Sequence, residues 1–277
     1  KNHGHSLYQM AKSSNEWFCQ NLTVKDTKRA DGTPVISSEI IEQERLEGME
    51  EALIQQEFYG SFEAQIAGAY FADQIASAKE QGRVSRLPIE PSLMVHTAWD
   101  LGISDSMSIW LFQAMGKEIR LIGYYENNGK GMEHYIQWLN QYASTHNVML
   151  GQHLAPHDIE VRELTSGRSR KEVAREMGIS FRTVQRPRTK AEGIQAIRRM
   201  FPRFWFDEDR TEHGLNCIAS YHREFDEKRN VFKDTPVHDW ASHGADALQT
   251  LALGWQESMV SGHRPQPRQA EVRFSVF

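Results

Sequence analysis

The sequence predicts an α/β domain: a mixed sheet, begun by a three-strand meander and flanked by helices. Three observations carry this. Residues 94–126 read as strand, loop, strand, turn, strand: a largely apolar run through Trp99 and Asp100, a second run at 107–114, a Met115-Gly116-Lys117-Glu118 turn, and a third run at 119–126, with β-branched and aromatic enrichment between turn residues. Beyond residue 131, helical and strand-like periodicities alternate, the order expected of helices packed on a sheet. Residues 238–253 then pass from a His- and Asp-rich start into an Ala- and Leu-rich run, as expected of a helix with one buried face.

The elements follow in order. The chain opens at Lys1, not at a methionine and with no sign of a domain boundary, and residues 17–24 alternate as one strand. Residues 38–61 predict a connection carrying a Glu-rich helix (Glu39, Glu42, Glu44, Glu47, Glu50, Glu51), a pattern more often a solvated face than a chemical one. After the meander come a loop at 127–131 and a helix over 131–146, with Met132, Tyr135, Ile136, Leu139 and Tyr142 at helical spacing. A fourth strand begins at Met149 and ends at Pro156. A short helix over 169–178, a fifth strand at 181–185, a helix over 191–201, an apolar stub at 204–206, a helix over 214–225 and a hairpin at 227–236 lead to the last helix, which begins at Asp239. From Gln256 on, Arg264, Pro265, Pro267, Arg268 and Arg273 in a polar setting predict a flexible tail.

Two of these segments hold chemistry. Asp239, His243 and Asp246 stand at i, i+4 and i+7, one face of a helix. Hard oxygen ligands beside imidazoles suit a divalent metal; the plainer alternative, of about equal weight from this segment alone, is that Asp239 caps the helix and the histidines are surface residues. Asp100 lies inside an apolar run between Trp99 and Leu101, where a carboxylate is costly unless paired or bound to metal. Asp105 reads as a turn aspartate before it reads as a ligand. Basic residues cluster at Arg182, Arg186, Arg188 and Lys190, with Arg198, Arg199 and Arg203 following, and the hairpin carries Lys228, Arg229 and Lys233. Solvated charge explains any one of them; the clustering points to phosphate contact.

Composition sets limits. At 39% hydrophobic and 25% charged over 277 residues, the chain has the make-up of a globular protein in water. No run reaches the ~18–20 apolar residues that cross a bilayer, and no signal-peptide pattern stands at the start. Cys19 and Cys217 are isolated, so neither a disulfide framework nor a Cys-based zinc site is indicated, and a reducing, cytoplasmic setting is expected. A net charge of −5 argues against a protein that coats nucleic acid. It is compatible with a nuclease, because bound cations reverse the local sign of a carboxylate cluster. The chain contains no Gly-x-x-x-x-Gly-Lys-Ser/Thr loop, so no ATP hydrolysis is expected from it.

Asp100 in its Trp-Asp-Leu-Gly setting, the meander after it, and the late Ser-His-Gly-Ala-Asp-Ala-Leu helix together resemble the nuclease half of a phage terminase large subunit, over roughly residues 60–254. The resemblance implies a ribonuclease H-like fold and an endonuclease that cuts concatemeric double-stranded DNA during viral genome packaging. Residues 1–60 would be the end of the packaging ATPase and a linker helix, 61–255 the nuclease, and 256–277 the tail. The fourth strand would lie beside the first, so that Asp158 joins Asp100 and Asp246 as catalytic metal ligands, with Glu160 competing for the second place. Asp105, Asp239 and His243 would be auxiliary, and the hairpin would lie over the site. Two Mg²⁺ or Mn²⁺ ions about 3.5–4 Å apart suit such a sparse carboxylate set. The implied partners are double-stranded DNA, the terminase small subunit, the portal protein and the ATPase domain of the same full-length chain, in the host cytoplasm. Two alternatives remain: a non-catalytic docking module for motor or portal, and a resolvase- or transposase-like nuclease of the same fold.

Overall fold

In the computed structural model, residues 10–12, 16–49, 51–60, 68–102, 106–162, 167–226, 229 and 231–260 are described. Seven strands form one sheet: β1 (Val84–Ser85), β2 (Val95–Asp100), β3 (Met107–Met115), β4 (Glu118–Asn127), β5 (Leu150–Pro156), β6 (Phe181–Val184) and β7 (Phe204–Asp207), in the spatial order β1-β7-β4-β3-β2-β5-β6. β2, β3 and β4 pair antiparallel, as the meander predicts. β5 runs parallel to β2, β6 to β5, β7 to β4 and β1 to β7.

The expected fourth strand therefore does lie beside the first. It ends at Pro156, as expected, and His157–Glu160 turn as a 3₁₀ helix. The apolar stub at 204 proves to be β7, with Phe204 and Phe206 fully buried. Neither β1 nor the helix Ala72–Glu80 is among the expected elements, although Ile75 and Ala78 stand at helical spacing and are buried.

Each face of the sheet holds one apolar cluster. The helices are α1 (Ser38–Leu46), α2 (Glu51–Glu57), α3 (Ala72–Glu80), α4 (Met132–His146), α5 (Arg170–Glu176), α6 (Lys190–Met200), α7 (Glu212–Ser220) and α8 (Trp240–Gly254). Val95, Trp99, Ile109 and Leu111 pack with Ile136 and Leu139 of α4 and Ala174 of α5. Ala98, Trp110, Phe112 and Leu154 pack on the other face with Ile194 and Ile197 of α6, Ile218 of α7 and Leu248 and Leu251 of α8. β3 is buried along nearly its whole length, which is why it reads as a continuous apolar run. Because side chains alternate along a strand, Ala98 toward α8 puts Asp100 on the α8 side as well.

Local chemistry fixes several ends. Ser169 and Glu172 form a reciprocal capping box at the start of α5, and Asn147 closes α4 in the left-handed region at φ 50°. Arg83 is buried, with its guanidinium donating to the carbonyls of Phe201 (2.9 Å) and Phe204 (2.8 Å).

Four expectations fail for identifiable reasons. Residues 17–24 form no strand: Asp26 takes the N–H of Thr23 (3.0 Å) and its hydroxyl (2.7 Å), so turn chemistry wins where no neighbouring ladder exists. The Glu-rich helix is two helices, parted at Gly48, whose φ of 101° no helix tolerates. The helix expected over 214–225 stops at Ser220. From there the backbone turns to bond the 68–70 segment (Tyr70 N–H to Tyr221 O, 2.9 Å; Arg223 N–H to Gly68 O, 3.1 Å) and enters β8 (Arg223–Asp226), so the hairpin with β9 (Val231–Pro236) starts earlier than expected. The tail does not begin at Gln256: Met259 is 2% exposed within the core, and Arg203 pairs with Glu257 at 3.0 Å. Residues 261–277 lie outside the described residues, as does Asp105.

Candidate active site

At the C-terminal ends of β2 and β5, an open cleft of about 120 Å³ is lined by Asp100, Asp158 and Asp246, with His157, Arg186 and Lys190 among its other walls. Three different elements supply the carboxylates. Asp100 ends β2, Asp158 sits in the turn after β5, and Asp246 lies in the second turn of α8. The parallel β2–β5 pairing sets the first two side by side, and the packing of α8 across β2 and β3 brings in the third.

The electrostatics are those of crowded anions. Burial pushes the Asp100 carboxyl above its usual range, and the charges of Asp246 and Asp158 push the same way, while His243 acts in opposition. Nδ1 of His243 stands 3.6 Å from Oδ2 of Asp100. Oδ1 of Asp158 is buried with no hydrogen-bond partner. Asp246 faces the ammonium of Lys190, at 3.2 Å and 3.3 Å from its two oxygens. An orphaned buried carboxylate oxygen, a second carboxylate held by a lysine and a third made costly by burial form an all-oxygen donor set that fits a hard divalent cation. The three carboxylates do not all draw within 4.8 Å of one another; among the described residues, the group that does is Glu126, His213 and Cys217. Ligands shared between two ions do not need a single common centre.

The other candidates separate clearly. Glu160 points away from the cleft to Lys171 Nζ (2.6 Å) and Thr183 Oγ1 (2.7 Å), which leaves Asp158 as the carboxylate in the cleft. Asp239 accepts from the Ala241 N–H (2.9 Å) as the N-cap of α8, so its auxiliary place in the site gives way to the capping alternative.

Of the basic residues, Arg186 and Lys190 line the cleft. Arg182 does not line the cleft: its guanidinium donates to the carbonyl of Gly254 at the end of α8. Arg188 is exposed in the loop before α6, where its backbone N–H meets Glu192. Arg229 is exposed at the hairpin turn, and Lys233 is taken by Glu224 at 2.6 Å. Lys228 lies outside the described residues. The Lys190–Asp246 pair was missed by spacing: the two are 56 residues apart, and no short-range pattern links them.

The seven-stranded mixed sheet, its meander and the helices on both faces define a ribonuclease H-like α/β fold. Solved structures that it resembles include phage large terminases and their nuclease domains. The large terminase of a thermophilic bacteriophage matches over 80% of this chain and 53% of its own, at 16% identity and a TM-score of 0.51. The same terminase in complex with ATP-γ-S matches over 91% and 66%, at 15% identity and a TM-score of 0.50. The large terminase nuclease of another thermophilic phage, G20c, with bound cobalt, matches over 67% and 97% at 11% identity; its TM-score of 0.46 is too low to bear on the fold. The chain spans about half the length of the first of these. No family model and no curated protein matches the sequence.

Proposed function

We propose that this chain is the nuclease portion of a viral large terminase, a divalent-metal-dependent endonuclease that hydrolyses phosphodiester bonds of double-stranded DNA. The observation that carries the reading is the meeting of Asp100, Asp158 and Asp246 in one cleft, with one buried carboxylate oxygen unpartnered and a lysine set against another carboxylate. The likeness in fold to the thermophilic phage terminase, at a TM-score of 0.51, supports it. On this reading residues 1–60 end the ATPase domain, and the nuclease begun at 61 runs on past 255 to include Met259 in its core, which leaves the tail to residues 261–277. The ATPase, small subunit and portal are its partners in a host cytoplasm. Among the described residues, no helix is long and apolar enough to cross a membrane.

The proposed cofactor is a pair of Mg²⁺ or Mn²⁺ ions, which would supply an activated water and stabilise the leaving oxygen. Asp100, whose carboxyl feels the charges of both Asp246 and Asp158, would be the shared ligand, with Asp158 and Asp246 completing the set. His243, in the first turn of α8 with Nδ1 3.6 Å from Oδ2 of Asp100, would help orient that carboxylate. Lys190 would pass from Asp246 to a DNA phosphate once a cation takes the carboxylate, and Arg186 at the cleft wall would meet the backbone beside it. β2 and α8 carry Asp100 and Asp246 and the turn after β5 carries Asp158, so the fold itself would bring the carboxylates together before substrate binds.

The test is plasmid digestion by the 277-residue chain with Mg²⁺, Mn²⁺, Ca²⁺ or EDTA, with Asp100→Ala run beside it. Cutting that requires Mg²⁺ or Mn²⁺ and vanishes in the variant is the expected result. Cutting that persists in Asp100→Ala would overturn the site. No cutting combined with no Mn²⁺ binding by calorimetry would leave a non-catalytic docking module.

A further inference from the structure

A second group of metal-ligating side chains lies outside the cleft. Cys217 and His213 are four residues apart on α7, which places them on one helical face. Glu126, near the end of β4, faces them. The three ligand atoms all lie within 4.8 Å of one another. Nε2 of His213 is 3.3 Å from Oε2 of Glu126. Two such ligands about 2.1 Å from a tetrahedral zinc ion would stand about 3.4 Å apart, so this edge of the tetrahedron is already formed.

The surroundings fit a built site. The hydroxyl of Tyr124 donates to Oε2 of Glu126 at 2.5 Å, the outer hydrogen bond that orients a ligating carboxylate. Cys217 is fully buried, and Gly244 of α8 packs against it so closely that a Cβ there would lie 2.6 Å from the Cβ of Cys217. The side chain of His213 is 58% exposed, leaving one side of the group open to solvent for a fourth, water ligand.

This group is distinct from the carboxylate cleft. Asp100 pairs with Ser108, and Ser108 with Glu126, across the antiparallel ladder. Glu126 thus shares the face and the end of the sheet with Asp100 but lies two strand spacings away, about 10 Å. Ions that share a ligand in a paired site sit only about 4 Å apart. The donors differ too: thiolate, imidazole and one carboxylate select a borderline-soft ion where three carboxylates select a hard one.

We propose that Glu126, His213 and Cys217 form a separate binding site for a zinc-type transition-metal ion, tying α7 to the end of β4. Binding replaces the thiol proton of Cys217 with a metal–sulfur bond, and the proton leaves to solvent. The proposal does not rest on the nuclease reading.

The test uses the 277-residue chain stripped with EDTA and titrated with Co²⁺ as a coloured probe for Zn²⁺, in wild type, Asp100→Ala, Cys19→Ser, Cys217→Ser and His213→Ala. The expected result is one equivalent of Co²⁺ giving a thiolate-to-cobalt charge-transfer band, displaced by Zn²⁺ and intact in Asp100→Ala and Cys19→Ser. The band should vanish in Cys217→Ser, and binding should weaken at least about tenfold in His213→Ala. His213 is exposed, so that variant keeps the test available if Cys217→Ser does not fold. Absence of the band in wild type, or binding indifferent to His213→Ala, would overturn the proposal. A wild type that shows this band but cuts no plasmid with any metal would instead count against the cleft.

Discussion

The ammonium of Lys190 straddles the carboxylate of Asp246, 3.2 Å from one oxygen and 3.3 Å from the other. The lysine thus occupies the side of Asp246 that a cation held by that carboxylate would take. The pair is partly exposed, with Lys190 at 49%, so its net strength is roughly 0.2–1 kcal/mol. Lys190→Met should therefore tighten Mn²⁺ binding in the absence of DNA by up to about fivefold, measured by calorimetry. Unchanged or weaker binding would show that the ammonium does not compete with the ion.

Asp100 illustrates a site that costs stability. Its carboxyl is pushed up by burial and by its acidic neighbours, so its ionised form opposes folding at neutral pH when no cation is bound. Asp100→Asn should raise the melting temperature of the metal-free chain by a few degrees, on the order of 1 kcal/mol. Added Mn²⁺ should stabilise the wild type more than the variant. A lower melting temperature for metal-free Asp100→Asn would mean that the contact with His243 outweighs the burial.

His96 and His153 set the acid limit of the fold. Burial lowers both to about 4 from an ordinary value of about 6.5, and His96 adds its charge against His153. The main-chain N–H of Gln152 donates to Nδ1 of His96 (2.9 Å), and Nδ1 of His153 lies 2.7 Å from the Thr97 hydroxyl. Both rings are neutral in the fold and charged in the unfolded chain between these two values. Their contribution is complete above about pH 6.5 and is lost as pH falls toward 4, roughly 2–4 kcal/mol per ring. Urea midpoints should fall steeply across that window. The slope should flatten in His153→Gln, and an unchanged slope would remove the histidines as its cause.

Gly244 holds α8 against α7 and β3. A Cβ there would lie 2.6 Å from the Cβ of Cys217 and 3.2 Å from the Tyr124 hydroxyl, and its carbonyl accepts the indole N–H of Trp110 at 2.9 Å. Gly244→Ala should cost about 1–3 kcal/mol through overpacking. Because Asp246 lies two residues on, Mn²⁺ affinity should fall with it. A destabilised variant with unaltered Mn²⁺ affinity would show that α8 yields without moving Asp246.

Legibility in the sequence followed the range of the interactions. The meander could be read because β2, β3 and β4 are adjacent in the chain and their apolar runs end in turn residues. Asp100 stood out because a carboxylate inside an apolar run needs a reason. Asp239 could not be divided between ligand and cap, since both want an acidic residue at a helix start; only its bond to the Ala241 N–H decides. Residues 17–24 alternate well, yet alternation specifies only half of a strand, the neighbour being the other half. Arg182 looked like a member of a phosphate-binding row because one-dimensional clustering says nothing about which way a guanidinium turns. The His213–Cys217 spacing was visible, but its meaning depends on Glu126, which is brought in by a strand far upstream.

The carboxylates of the cleft enter the chain in the order 100, 158, 246, and the last arrives on the final long helix of the described residues. A polypeptide still emerging from the ribosome, or one clipped before α8, carries two of the three and lacks the helix that covers one face of the sheet. On the proposed reading, such a chain cannot nick the host chromosome or the viral genome. On that same reading the three-carboxylate set is complete only once α8 has been made and has docked, so the order of synthesis itself delays the site.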